Sequence, residues 1–251
     1  MKKRFIMFLL LPLLSFQNLS AKEKVIAKIP EASGICYSSK SNTLFIVNDE
    51  GLLYELSTKG KILRKEKIGK YDLEAITIDE KNNLLLLANE KKDSILVVKK
   101  ENFKLLKKIK IDRKYKGKKI LKKGSDGIEG LVLFNNKLYA ANQSNKKYPK
   151  EDSSVIVVLD YNLEKKKLKI EDIIDPKITD ISGLTVYEDI LYIVSDKNSQ
   201  ILSYNIKKSK ITKKEKLPKK YAQEGIAFDE KANLYIADDK GKILKIKNYL
   251  K

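Results

Sequence analysis

The sequence predicts an all-β fold, a five-bladed β-propeller with four-stranded blades. One strand–turn–strand pattern recurs five times along the 251 residues. Its key polar positions, Ser33, Glu74, Glu129, Ser182 and Glu224, are separated by 41, 55, 53 and 42 residues. A repeat of about 40–50 residues built from short apolar strands is typical of propeller blades. No segment shows the sustained 3.6-residue apolar period that would indicate a helix.

Each repeat predicts the three inner strands of a blade. A Ser or Glu precedes a small residue and an apolar run, a short turn follows, and a second apolar run ends on a polar residue before a third begins. The five repeats are EASGICYSSKSNTLFIVNDEGLLYEL from Glu31, DLEAITIDEKNNLLLLANEKKDSILVV from Asp72, DGIEGLVLFNNKLYAANQ from Asp126 with SSVIVVLD from Ser153, DISGLTVYEDILYIVSDKNSQILSY from Asp180, and AQEGIAFDEKANLYIADDKGKILKI from Ala222.

A fourth strand follows each of the first four repeats, as KILRKEKI, FKLLKKIKI, KLKIEDII and KITKKEKL. The fifth repeat reaches the end of the chain without one. The N-terminal segment KVIAKI, residues 24–29, is unused, and we predict that it completes the last blade and closes the ring. Such closure leaves no exposed first or last sheet edge. A degenerate sixth blade within residues 102–125 is the alternative, because long inserted loops are uncommon.

The N-terminus has the pattern of a secretory signal peptide. MKKRF supplies positive charge, IMFLLLPLLSF supplies the apolar region, and Ala21 offers a small residue for cleavage. We therefore predict a signal peptide at residues 1–21, a propeller domain at 22–251, and a periplasmic or secreted protein. The alternative is an uncleaved membrane anchor. A single cysteine, Cys36, excludes an intrachain disulfide, and its apolar neighbours indicate a buried thiol.

Composition excludes several classes of function. The chain has no histidine, which excludes Ser-His-Asp catalysis and His-ligated zinc. Its formal net charge is +20, yet lysine supplies nearly all of it, and arginine is the better reader of bases and phosphates. Together with the predicted export, this argues against nucleic acid as a partner. Peripheral contact of the lysine-rich loops 113–123 and 146–150 with an anionic membrane ranks last among the functions considered.

Acids and amides are predicted to meet at one mouth of the central channel. The first strand of a blade begins at the end where the second strand finishes. Three glutamates therefore converge there with the polar residues that end the second strands. We predict a metal site formed by Glu74, Glu129, Glu224, Asn89 and Asn142. An oxygen-only ligand set without histidine suits Ca²⁺ better than a transition metal.

Structural roles compete with metal binding at this motif. The acids could cap backbone N–H groups, and the following glycine could let neighbouring blades approach closely. We favour the structural role for Ser33 and Ser182, since hydroxyl groups readily bond the backbone. Acids in the turns at the other end of the hairpins are expected to be ordinary solvated residues. They are Asp79, Glu80, Asp189, Asp229 and Glu230.

Several of these segments together resemble the SdiA-regulated family of exported bacterial proteins. They are EASGICYSSKSNTLFIVNDEG, YDLEAITID, GIEGLVL, DISGL with LYIVSDKNSQIL, and AQEGIAFDEKANLYIAD, and the resemblance spans residues 25–247. It implies a five-bladed propeller with a bound calcium ion, distantly similar to NHL-repeat and calcium-dependent lactonase-type propellers. Ala75 stands where the other repeats have glycine, a small departure.

Two functions of different class remain open. The first is a binding module, a monomer whose calcium-organised rim docks a protein or a small ligand; the family's similarity to NHL propellers implies protein interaction. The second is a calcium-dependent hydrolase similar to the lactonases, with the metal as Lewis acid. A carboxylate such as Glu129 or Glu224 would then replace the missing histidine base. We favour the binding module over an enzyme.

Overall fold

Five antiparallel sheets surround a central axis in the computed structural model, which describes residues 23–121 and 127–250. The predicted signal peptide at residues 1–21 lies outside the described residues. Strand β1 (Glu23–Lys28) is the outermost strand of the last blade. Blade 1 contains β2 (Ala32–Ser38), β3 (Thr43–Asn48), β4 (Leu52–Ser57) and β5 (Ile62–Lys67). Blade 2 contains β6 (Leu73–Asp79), β7 (Leu84–Asn89), β8 (Ser94–Lys99) and β9 (Leu105–Ile111).

A short hairpin separates blades 2 and 3, formed by β10 (Lys114–Tyr115) and β11 (Lys118–Lys119). Blade 3 contains β12 (Ile128–Phe134), β13 (Lys137–Asn142), β14 (Val155–Asp160) and β16 (Ile170–Ile174). Blade 4 contains β17 (Gly183–Tyr187), β18 (Ile190–Ser195), β19 (Gln200–Asn205) and β20 (Lys210–Lys216). Blade 5 contains β21 (Gln223–Phe228), β22 (Leu234–Asp238) and β23 (Lys242–Ile246), and its sheet runs β1-β23-β22-β21.

The predicted ring closure is confirmed. β1 pairs with β23 in antiparallel register, and β2 packs against both β6 and β21, so the first and last blades are neighbours. No sixth blade occurs within the described part of residues 102–125, which holds β9 and the small hairpin. The chain forms an additional strand that the repeat pattern does not predict. Lys167–Leu168 (β15) pairs in parallel with β9 of blade 2, and only Ile170–Ile174 serves as the outer strand of blade 3.

The hydrophobic core lies between the blades, in five clusters that each join two neighbouring sheets. Strand β3 shows why its sequence is continuously apolar. Leu44 and Ile46 pack into the cluster against blade 5, whereas Phe45 and Val47 pack into the cluster against blade 2. Both faces are therefore buried, which removes the polar alternation of a half-exposed strand. Complete burial of each such side chain contributes about 1.5–3 kcal/mol. The outer strand β5 is mostly exposed and correspondingly polar.

Candidate metal centre

The polar residue that heads each inner strand lies in a β-bulge in four of the five blades. The pairing register skips one residue between Ala32 and Gly34 in blade 1, and the same irregularity recurs in blades 2, 3 and 5. The skipped residues are Ser33, Glu74, Glu129 and Glu224. A bulge re-aims its extra side chain and increases the local twist. This explains how an acid can begin a strand whose later residues are buried between the blades.

The glycine of the motif is required by the close approach of the blades. A Cβ atom at Gly183 would lie 2.3 Å from the backbone oxygen of Glu224, and one at Gly225 would lie 2.7 Å from the backbone oxygen of Ser33. The hydroxyl of Ser182 donates a hydrogen bond to the backbone oxygen of Gln223 at 2.7 Å, which joins blade 4 to blade 5. The structural role predicted for Ser182 is thus confirmed. The hydroxyl of Ser33 also bonds the backbone, at 3.1 Å from the oxygen of Glu31, and it lies within hydrogen-bond distance of the Asp49 carboxylate as well.

Glu74, Glu129 and Glu224 lie close enough to one another, or to shared acids, for their charges to interact. Burial raises the pKa of Glu129 well above its usual range, and the charges of Glu74 and Glu224 raise it further. Burial, followed by the charge of Asp49, raises the pKa of Glu74 to about 9. Burial and the charge of Asp196 raise the pKa of Glu224 to about 8. Each of these carboxylates therefore favours a proton or a cation over an unaccompanied negative charge.

Three carboxylates at this mouth are close enough to hold one metal ion. Oxygen atoms of Asp49, Asp72 and Glu74 all lie within 4.8 Å of one another. Asp49 follows the end of strand β3 in blade 1, whereas Asp72 and Glu74 flank the start of strand β6 in blade 2. The group is therefore built across a blade interface. Glu74 was predicted as a ligand, but Asp49 and Asp72 were not. The available signal was that acids stand at equivalent ends of strands in two adjacent repeats.

The two predicted amide ligands lie at the same end of the channel and also hold neighbouring backbone in place. The strand ladders pair Leu73 with Asn89 and Ile128 with Asn142, which confirms that the strands meet as predicted. The amide nitrogen of Asn89 donates to Ser94 Oγ at 3.3 Å, and that of Asn142 donates to the backbone oxygen of Ser153 at 3.0 Å. Asn89 lines a cavity of about 500 Å³ that also contains Asp49 and Asp72. Coordination by the two amide oxygens stays a prediction.

Blade 5 carries two buried acceptors that lack hydrogen-bond donors among the described residues. They are Gln223 Oε1 and Asp238 Oδ2, on residues that pair across strands β21 and β22. Both residues are fully buried, and a buried acceptor without a donor is unfavourable unless water or a cation supplies the missing partner. The donor set at this mouth consists of carboxylate, amide and backbone oxygen atoms. Such a set fits a hard divalent cation.

Two of the turn acids at the opposite end are buried, which corrects the expectation that they are solvated. Asp79 is 4% exposed and Asp229 is 6% exposed. Asp229 accepts hydrogen bonds from Asn233 Nδ2 at 2.7 Å and from the Tyr235 hydroxyl at 2.8 Å. Burial alone would raise the pKa of Asp229, but these bonds outweigh it and lower the pKa. The hydroxyl of Tyr161 and the amide of Asn82 do the same for Asp79.

With this geometry in place, the family can be assigned. The model of the SdiA-regulated family matches residues 13–240, most of the chain. The chain belongs to the SdiA-regulated family. The resemblance of the repeat motifs and the five-bladed fold agree with this assignment. No curated protein matches the chain significantly. Among the residues that the structure describes, none forms a helix with the length and hydrophobicity of a membrane span.

Several solved structures have a similar fold but low sequence identity to this chain. Glutaminyl cyclase from Myxococcus xanthus is similar with a TM-score of 0.68 at 12% identity, over 90% of this chain and 92% of that one. Hydrazine synthase from Kuenenia stuttgartiensis gives a TM-score of 0.52 at 14% identity, over 83% of this chain and 56% of that one. A chain of a nidogen/laminin complex gives a TM-score of 0.54 at 15% identity, over 82% of this chain and 72% of that one. At these identities, the likeness concerns the fold.

Proposed function

We propose that this SdiA-regulated protein is an exported calcium-binding propeller that uses one channel mouth as a binding module for a protein or a small ligand. The observation that carries the proposal is the set of carboxylates gathered across the interface of blades 1 and 2. Oxygen atoms of Asp49, Asp72 and Glu74 lie within 4.8 Å of one another. Three carboxylates at this separation repel one another strongly unless protons or a cation compensate them.

A cation from solution is the compensation that this mouth favours. Among the described residues, Asp49, Glu74, Glu129 and Glu224 form no salt bridge with lysine or arginine. The chain nevertheless has 53 basic residues, so basic side chains are abundant elsewhere. Calcium takes six to eight oxygen ligands in flexible geometry, which suits carboxylates brought together from separate blades.

In this proposal Asp49, Asp72 and Glu74 hold the ion, and Glu129 and Glu224 are further carboxylates at the same mouth. Asn89 and Asn142 contribute their amide oxygens while their nitrogens bond Ser94 and Ser153. The bound ion would supply positive charge at the mouth and leave coordination positions for an oxygen atom of a ligand. The protein's own residues orient that ligand on the rim.

A binding role is favoured over catalysis because the chain has no histidine to serve as a general base. Cys36 is buried, and burial, followed by the charge of Glu80, raises the pKa of its thiol above the usual range. The nidogen/laminin complex shows by its name that a chain of this fold can take part in a protein complex. That likeness supports the possibility of a protein partner without identifying one.

Hydrolysis is the second candidate, and one observation favours it. Glu129 is only 7% exposed and its pKa is raised by burial and by neighbouring carboxylates. A carboxyl group tuned in this way can serve as a general acid or base near neutral pH. Turnover of lactones or phosphotriesters that Glu129→Gln abolishes, with the fold intact, would favour this candidate. Turnover that survives both Glu129→Gln and Glu224→Gln would exclude the mouth as its site.

Thermal unfolding with and without calcium tests the proposal. For a ligand at 100 times its dissociation constant, stabilisation is about 2.7 kcal/mol, which corresponds to about 5–10 °C in a chain of this size. We expect calcium to raise the Tm of metal-stripped protein by this amount and EDTA to reverse the rise. Asp49→Asn and Glu74→Gln should reduce the rise. Glu230→Gln, the same kind of change on an exposed acid at the other end, should not. A flat response of the unchanged protein would contradict the proposal.

A further inference from the structure

A lysine-lined groove leads away from the carboxylates of the candidate metal centre. The cavity of about 500 Å³ that contains Asp49 and Asp72 is also lined by Lys67, Lys70, Lys92 and Lys108. A second cavity, of about 760 Å³, shares Lys92 and Lys108 and continues past Lys110. The two cavities are adjacent, because Lys92 and Lys108 line both. We call the part lined by Lys67, Lys70, Lys92, Lys108 and Lys110 the lysine groove.

The five lysines of the groove are all exposed. None of them forms a salt bridge with an acid among the described residues. At the outer end of the second cavity the arrangement is different, because Arg113 pairs with Asp93, and Lys167 with Asp112 at 3.2 Å. The groove therefore collects exposed positive charge next to a cluster of acids.

The fold explains why these lysines face one depression. Lys108 and Lys110 alternate with buried Ile109 and Ile111 on strand β9, so the pleat directs both lysines to the exposed face. Lys92 lies in a single turn of 3-10 helix, Glu90–Lys92, that follows the second strand of blade 2. Lys67 ends strand β5 of blade 1, and Lys70 lies in the loop to blade 2. The groove thus follows the same blade interface as the carboxylates.

Charge repulsion within the groove indicates that an anion would be stabilising there. Burial lowers the pKa of the Lys108 ammonium, and the charges of Lys92 and Lys110 lower it further. The Lys108 ammonium lies 5.4 Å from the centroid of the Tyr71 ring. A ligand with an acid group could supply a counter-charge to these ammonium groups.

We propose that the lysine groove and the metal centre together bind a small ligand with two separated acid groups. This inference rests on the proposed calcium site. One acid group completes the coordination of the ion held by Asp49, Asp72 and Glu74, and the second contacts Lys92, Lys108 and Lys110. Carboxylates and phosphates share the required chemistry, so the ligand is a small molecule that carries two carboxylate or two phosphate groups. A concave groove favours such a ligand over a flat membrane surface.

Calorimetric titration of the calcium-loaded full chain tests the proposal with two probes, trigalacturonate for carboxylates and glucose 1,6-bisphosphate for phosphates. At least one probe should bind, and EDTA should abolish its binding. The triple change Lys92→Gln, Lys108→Gln and Lys110→Gln should weaken binding about tenfold or more, through lost charge-assisted contacts. The matched control Lys208→Gln, Lys210→Gln and Lys214→Gln removes equal charge from blade 4, where these lysines are also exposed. It should change affinity by about twofold at most in physiological salt.

The outcomes separate failure of the groove from failure of the metal site. The groove variant should keep the calcium-induced rise in Tm, because it alters no proposed metal ligand. If calcium does not raise the Tm of the unchanged protein, the proposed metal site itself is wrong. If calcium binds but neither probe does, the inference about the groove is wrong. Equal weakening by the groove and control variants, binding that EDTA does not affect, or binding only to phosphatidylserine vesicles would each overturn it as well.

Discussion

The two ends of the propeller both carry buried acids, but they compensate them in opposite ways. At the turn end, Asp229 receives hydrogen bonds from Asn233 and Tyr235, and its pKa is lowered although it is buried. At the mouth, Glu74 and Glu129 face other carboxylates, and burial together with those charges raises their pKa values. The two ends belong to the same hairpins, so the strands alone do not cause the difference.

The difference shows that the local supply of donors, and not burial, decides what a buried acid does. The turn acids obtain their donors from within the chain, and they stabilise the folded state as ionised groups. The mouth acids converge from separate blades and find mostly other acids. The proposed metal ion would compensate this charge, which makes this end the functional candidate.

Removal of a turn acid should give the largest loss of stability. Asp229→Ala deletes a buried, hydrogen-bonded carboxylate and leaves the donors of Asn233 and Tyr235 without an acceptor. Hydrogen bonds to charged groups contribute about 1.5–3 kcal/mol each, so we expect a loss of about 3 kcal/mol or more in the free energy of unfolding. Urea denaturation measures this. The exposed neighbour gives a control, since Glu230→Ala should cost less than about 0.5 kcal/mol.

Removal of an acid at the mouth should increase, not decrease, the stability of the metal-free protein. Glu129→Gln replaces a repelled, buried carboxylate with a neutral group of similar shape. Burial and the neighbouring carboxylates raise the pKa of Glu129, so we expect the variant to have a higher free energy of unfolding than the unchanged protein at pH 8, in urea denaturation with EDTA. Asp229→Asn, the matched change at the other end, should be destabilising under the same conditions. If both variants lose stability equally, the contrast between the two ends is wrong.

The two ends should also respond to pH in opposite directions. The pKa of Glu74 is raised to about 9 and that of Glu224 to about 8, so the folded metal-free protein holds protons that the unfolded chain releases above about pH 4.5. Its stability should therefore fall as pH rises from about 5 to 9. The lowered pKa of Asp79 and Asp229 acts in the other direction, since their contribution is lost as pH falls below about 4.

Urea denaturation from about pH 3 to 9 checks both effects of pH on the free energy of unfolding. Calcium should reduce the fall in stability above pH 5, because an ion replaces the protons at the mouth. The double variant Glu74→Gln and Glu224→Gln should show a smaller fall in stability above pH 5 even without calcium. A metal-free protein whose stability is constant from pH 5 to 9 would show that the mouth carboxylates are not coupled to folding.

Much of the fold could be predicted because every blade repeats the same pattern of strands and turns. The ring closure could be predicted because KVIAKI was the one predicted strand not assigned to a repeat. The division of KLKIEDII between two blades could not be predicted, since it depends on the pairing of Lys167–Leu168 with β9 of the neighbouring blade. The burial of Asp79 depends on Tyr161, which lies 82 residues away in sequence. The grouping of Asp49 with Asp72 depends on bulges and on the approach of two blades. The burial of Asp79 has no local sequence signal, and the acids at the strand ends indicate the mouth but not which of them group together.

Equilibrium dialysis of metal-stripped protein against ⁴⁵Ca²⁺ at pH 7.5 tests the central claim most directly. The carboxylates of Asp49, Asp72 and Glu74 predict about one bound ion per chain, because a single calcium site uses several oxygen ligands. The double variant Asp49→Asn and Glu74→Gln should lose that ion, and Glu230→Gln should retain it. Binding that is absent from the unchanged protein, or that persists equally in the double variant, would contradict the assignment of the mouth as the metal centre.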